Sequence, residues 1–88
     1  MDFEWDPNKA KLNEDKHKVS FPEACEVFAD NLSSSINDPD HSIDEDRYII
    51  FGKSYNENYL VVSYTERNGR IRIISARQMT PRERRAYE

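Results

Sequence analysis

The chain has 88 residues, 36% of them hydrophobic and 34% charged, with a formal net charge of −4. At this size a fold buries roughly 60% of its unfolded surface, so the composition predicts a small core beneath a heavily charged exterior. Cys25 is the only cysteine, which excludes an internal disulfide, and no stretch approaches the ~20 apolar residues of a membrane helix. The start, Met1-Asp2-Phe3-Glu4-Trp5-Asp6, is acidic and lacks the apolar run of a signal peptide. A soluble, cytoplasmic protein forming one domain over 1–88 is expected.

Phe3, Glu4 and Trp5 alternate aromatic with acidic, as a short half-buried strand does. Asp6-Pro7 then opens a helix predicted from about Pro7 to His17, with Asp as N-cap and Pro at the first helical position. Ala10 and Leu12 are its only apolar residues, while Lys9, Asn13, Lys16 and His17 share one stripe. Ser20-Phe21-Pro22-Glu23 reads as a capping box for a second helix ending near Asp30. On it Ala24, Val27 and Phe28 face the core, Val19 staples onto Ala24, and Cys25 is a small packed residue. Ser33 to Ile36 suits a short edge strand, and Asn37-Asp38-Pro39-Asp40-His41-Ser42 a loop in which His41 pairs with surface acids.

From Arg47 the pattern becomes β. Tyr48-Ile49-Ile50-Phe51 is a continuous apolar run, Tyr55 to Tyr59 a connection, and Leu60 to Arg67 a second strand. Asn68-Gly69 between two β-like runs is the strongest short hairpin signal, so a third strand follows from Arg70 to about Arg77. Thr80-Pro81-Arg82-Glu83 is another capping box and starts a short C-terminal helix.

Charge is divided unevenly along this order. Residues 67–88 hold seven Arg and two Glu, a local charge of +5, whereas residues 1–66 carry −9. A two-residue turn sets Arg67 opposite Arg70, Thr65 opposite Arg72 and Ser63 opposite Ile74, all on one outward face. Glu66, Tyr64, Val62 and Leu60 share the apolar face with Ile71, Ile73, Ser75 and Arg77. Opposed arginines need an anion between them. It is either a phosphate, which the planar guanidinium fork suits, or the chain's own Asp44, Glu45 and Asp46. Strict alternation also puts Arg77 on the apolar face, where a charge requires a partner, with Glu66 in reach. Either Arg77 snorkels at the sheet edge, or Ile73-Ile74 forms a β-bulge that turns it to the other face.

These residues resemble the BrnT toxins. The likeness runs through Phe3-Glu4-Trp5-Asp6-Pro7-Asn8-Lys9-Ala10, Asn13, Lys16-His17, Val19-Ser20-Phe21 and Glu23-Ala24. It continues through Glu45, Arg47-Tyr48, Gly52, Tyr64-Thr65-Glu66-Arg67, Arg72-Ile73-Ile74-Ser75-Ala76-Arg77 and Arg82-Glu83-Arg84-Arg85-Ala86-Tyr87-Glu88. The resemblance implies an α+β, RelE-like fold, a small antiparallel sheet packed against two N-terminal helices with a short C-terminal helix. It implies a ribonuclease that blocks translation, and a BrnA-type antitoxin that forms a hetero-oligomer with it and brings it to operator DNA. The family usually reads Lys-His-Gly where this chain has Lys16-His17-Lys18, so Lys18 either carries a small strain in the left-handed conformation that favours glycine or ends the first helix differently.

The two histidines are far apart and no CxxC or HxH spacing occurs; Asp38-x-Asp40 and Asp44-x-Asp46 fall in a loop, so neither metal nor cofactor is expected. Metal-free RNA cleavage needs cations on the phosphoryl oxygens and groups that move protons. Arg67, Arg72 and Arg77 are the expected phosphate clamp, with Arg47 and Arg70 in support. His17 and Lys16 are candidates for proton transfer or phosphate positioning, and Glu66 and Tyr87 for base and acid. Two other readings share the features: a non-catalytic module whose arginines dock an acidic protein, and a DNA-binding β-ribbon. The −9 half disfavours the ribbon.

Overall fold

The computed structural model describes residues 1–38, 40 and 45–88. Strand β1 (Phe3–Glu4) is followed by α1 (Pro7–His17) and α2 (Phe21–Glu26), the last running into a 3-10 turn at Val27–Ala29. Strands β2 (Ser34–Asn37), β3 (Arg47–Lys53), β4 (Tyr59–Arg67) and β5 (Arg70–Gln78) precede α3 (Pro81–Tyr87). They form one five-stranded sheet in the order β1-β5-β4-β3-β2. The expected α+β architecture is borne out. One pairing departs from an antiparallel sheet: β1 lies parallel to β5, Phe3 beside Ile71 and Glu4 beside Arg72. His41 and Asp44 lie outside the described residues.

Local signals place the helix ends. Asp6 caps α1 by accepting from the Asn8 amide at 2.8 Å, with Pro7 at the first position. Lys18 ends α1 at φ 60° and ψ 31°, its N–H reaching the Glu14 carbonyl at 2.9 Å, in the left-handed conformation that a glycine would adopt freely. At α2 only half of the expected capping box forms. The Glu23 amide donates to Ser20 Oγ, but its carboxylate turns away to accept from Ser54 Oγ and Asn58 Nδ2. α3 has the full box between Thr80 and Glu83.

The core lies on one side of the sheet. Leu60, Val62, Tyr64, Ile50, Ile73 and Ala76 pack against Val19, Phe21, Ala24 and Val27. Gly52 lets the 3-10 turn sit directly on β3: a Cβ there would meet Val27 Cγ1 at 2.5 Å. α1 contributes a polar group instead of an apolar stripe. Asn13, its one buried residue, donates to the Ala76 and Val19 carbonyls and accepts from the Ala76 amide at 2.9–3.0 Å. This satisfies both backbone groups on the outer side of β5.

The hairpin turn is as expected, with Asn68 and Gly69 both at positive φ (53° and 77°). Beyond it the register shifts between Ser63 and Tyr64, so Ser75 pairs with Ser63, Ala76 with Val62 and Arg77 with Val61. Of the two alternatives for Arg77, the bulge is the one realised. Leu60 therefore faces Gln78, not Arg77, and an alanine replaces Ser75 on the apolar face.

Candidate functional site

The register turns the face opposite the core into four rows. Arg67 and Arg70 stand at the hairpin end. Next come Arg47, Thr65 and Arg72, then Ile49, Ser63 and Ser75, and finally Phe51, Val61 and Arg77. Successive rows are ~7 Å apart, and Arg47 and Arg72 are separated by ~10 Å at Cα. α3 closes the far end. Thr65 lies on this face as alternation predicts, but it is covered: it is 1% exposed and its hydroxyl donates to the Asp46 carbonyl at 2.7 Å.

Each of the three expected clamp residues meets a carboxylate of its own chain. Arg67 Nη2 is 2.9 Å from Glu45 Oε2, so the anion beside the opposed Arg67 and Arg70 is an internal acid. Arg72 Nη1 is 2.8 Å from Glu4 Oε2, brought alongside by the parallel β1 strand. Arg77 holds Glu83 of α3 through both terminal guanidinium nitrogens, Nη1 and Nη2, at 2.8 and 2.9 Å. That fork lowers the Glu83 carboxyl to about 2 and raises Arg77 further above its ordinary value. Of these acids, Glu45 was legible as a partner in the sequence. Glu83 carried only a capping signal, and Glu4 none, because its role depends on where β1 pairs.

The other predicted residues are dispersed. Arg70 is exposed at the hairpin tip. Glu66 pairs with Ile71 on the core side of the sheet, away from Arg77, and is exposed there. Lys16 and His17 lie one turn beyond Asn13 on its stripe, and Asn13 is bonded to Ala76, the residue before Arg77. They therefore border the outer edge of β5. Among the described residues neither side chain makes a hydrogen bond or ion pair.

Tyr87 is one turn from Glu83 on α3. Its hydroxyl donates to Asp30 Oδ2 and its ring meets Tyr59 edge-on at 5.7 Å. Burial and that hydrogen bond push Tyr87 up to about 12. Burial acts to raise Asp30 too, but the Tyr87 hydroxyl and the amides of Leu32 and Lys53 hold it below the usual carboxylate range. A largely apolar cavity of about 320 Å³ beside this latch is lined by Leu32, Ile36, Phe51, Ala86 and Tyr87 together with Ser34 and Glu83, the partner of Arg77. Cys25, raised to about 11 by burial and by Glu26, keeps its thiol protonated. Among the described residues no group of three metal-ligating side chains comes together, and no helix is long and apolar enough to cross a membrane.

The site is thus a strand floor with arginines at both ends and hydroxyls between them, suited to an extended polyanion. The family model described as the ribonuclease toxin BrnT of type II toxin–antitoxin systems matches residues 5–83. The crystal structure of the Brucella abortus ribonuclease toxin BrnT resembles the fold with a TM-score of 0.67. That likeness covers 91% of this chain and 97% of that one, at 20% identity. At that identity it speaks for the fold alone. No curated protein matches the chain.

Proposed function

The chain belongs to the BrnT family of ribonuclease toxins of type II toxin–antitoxin systems, and from that premise we propose that its arginine face is the RNA cleft of a metal-independent endoribonuclease. The observation that carries this reading is the placement of Arg47, Arg67 and Arg72 on two adjacent rows of the strand face opposite the core. There they can meet the non-bridging oxygens of a phosphate as charge builds on them during attack by the neighbouring 2′-hydroxyl. Arg77, two rows away, holds the strand further along.

Internal carboxylates do not oppose this role. An exposed ion pair contributes ~0–1 kcal/mol, so exchange of Glu45 at the exposed Arg67 for a phosphate is inexpensive, whereas the part-buried Arg72–Glu4 pair is held more firmly. Proton transfer falls to His17, with Lys16 beside it, at the β5 border of the cleft. Glu66 opens on the other side of the sheet, and the Tyr87 hydroxyl is engaged by Asp30. Overall acidity restricts RNA binding to this face.

In the cell the protein cuts cytoplasmic RNA and stops translation. A BrnA-type antitoxin neutralises it in a hetero-oligomer and carries the pair to operator DNA. Incubation of purified protein with RNA in EDTA tests the chemistry. Cleavage persists in the chelator, and Arg67→Ala or Arg72→Ala lowers its rate by about 100-fold. Circular dichroism remains that of the parent. The three carboxylate-paired arginines also favour a second reading, a module that docks an acidic protein. RNA left intact, with antitoxin binding retained, would establish that reading and overturn the first.

A further inference from the structure

We propose that Ser63 and Ser75 form a ribose-reading pair at the centre of this face, their hydroxyls hydrogen-bonding the 2′-hydroxyl of the nucleotide beside the clamped phosphate. The inference rests on the RNA-cleft reading and adds the residues by which the cleft distinguishes RNA from DNA.

The two serines are directly paired across β4 and β5, on the row between Arg47–Thr65–Arg72 and Arg77. Both are half-buried. Neither hydroxyl makes a hydrogen bond among the described residues, in contrast to three nearby sheet hydroxyls whose side chains are already engaged. Thr65 donates to the Asp46 carbonyl, Ser54 donates to Glu23, and Ser35 is bonded to Tyr64. Paired strand residues hold their Cβ atoms ~5 Å apart, so two unengaged hydroxyls converge on one small volume.

The bulge creates this arrangement. In an unbroken register Ile74 alone would oppose Ser63, and Ser75 would sit on the apolar face. The shift between Ser63 and Tyr64 brings Ser75 across from Ser63 and, two residues on, Arg77 onto the same face. One irregularity thus supplies both a cation and a hydroxyl to the floor.

The chemistry suits a sugar better than a phosphate. A hydroxyl pair is uncharged and can both donate and accept, matching a 2′-hydroxyl, which does the same. The serine row is ~7 Å from the arginine row, a step that leaves the ribose over the serines when its phosphate lies between Arg47 and Arg72. A DNA strand would meet the same arginines and leave the serines without a partner.

The test compares KM for an RNA oligonucleotide with the inhibition constant of DNA of the same sequence. In the parent protein RNA is favoured. In Ser63→Ala/Ser75→Ala, KM for RNA rises about tenfold, the equivalent of one net hydrogen bond, while the DNA constant and the salt dependence of binding stay unchanged. Unchanged KM in a double variant of parental circular dichroism overturns the inference and leaves the cleft standing. So does an equal loss for both polymers, which marks a structural role. A parent protein that binds neither polymer overturns the RNA cleft and this inference with it.

Discussion

On the core side of the sheet Leu60, Val62, Ile73 and Ala76 are at most 2% exposed; on the other, Arg67, Arg72 and Arg77 keep 50%, 30% and 42% of their side-chain surface in water. Burial of an aliphatic side chain stabilises by ~1.5–3 kcal/mol, and its neighbours cannot change without leaving a void or a clash. The arginine pairs are individually weak and screened, so their carboxylates can give way to another anion without disturbing the strands. Alternate residues of β4 and β5 therefore build a rigid support on one side, while on the other Arg67, Arg72 and Arg77 present exchangeable charge above the buried Val61 and Thr65.

Three measurements would break or sharpen that contrast. The largest effect is expected at the polar support: Asn13→Ala strands the Ala76 N–H and C=O and lowers the unfolding free energy by about 3 kcal/mol in denaturant titration. A loss as small as that of a surface pair would mean that α1 supports the sheet little. Lys18→Gly relieves the left-handed backbone at the end of α1 and should raise stability by about 1 kcal/mol. The smallest effect belongs to the arginine face. Glu83 titrates at about 2 in the fold against an ordinary 4.5, a depressed carboxylate. Its contribution is complete above the ordinary value and disappears as pH falls toward the folded one. Melting curves of the parent and Glu83→Gln should differ by less than ~1 kcal/mol at pH 7 and converge in acid, since the pair is partly exposed.

What the sequence disclosed follows from the range of the forces involved. The start of α1 was legible because Asp6 and Pro7 act within one turn, whereas Lys18 takes the left-handed conformation at its end without the glycine that would announce it. Asn68-Gly69 was legible because positive φ at both positions restricts the residue choice. The pair Ile73-Ile74 raised a bulge without deciding it, since only the packing of Ile73 and Ala76 against the helices selects the shifted register. The parallel docking of β1 left no trace at all: a two-residue strand is too short to indicate its partner, and with it went the Glu4–Arg72 pair. Glu83 misled in another way, since one carboxylate both caps α3 and grips Arg77. The arginines were thus legible as a group, and their individual partners were not.

Asn13 has a consequence for assembly. An exposed strand edge is a template for any passing chain, and β1 covers β5 only at Ile71 and Arg72. Further along, the Asn13 side-chain amide occupies both hydrogen-bonding groups that Ala76 would offer to a newcomer. A single amide thus serves as a strand terminator, and the sheet cannot extend past β5 at that point. Growth is left to the β2 side, whose four residues are all exposed. β2 lies at the end of the sheet farthest from Arg72 and Arg77.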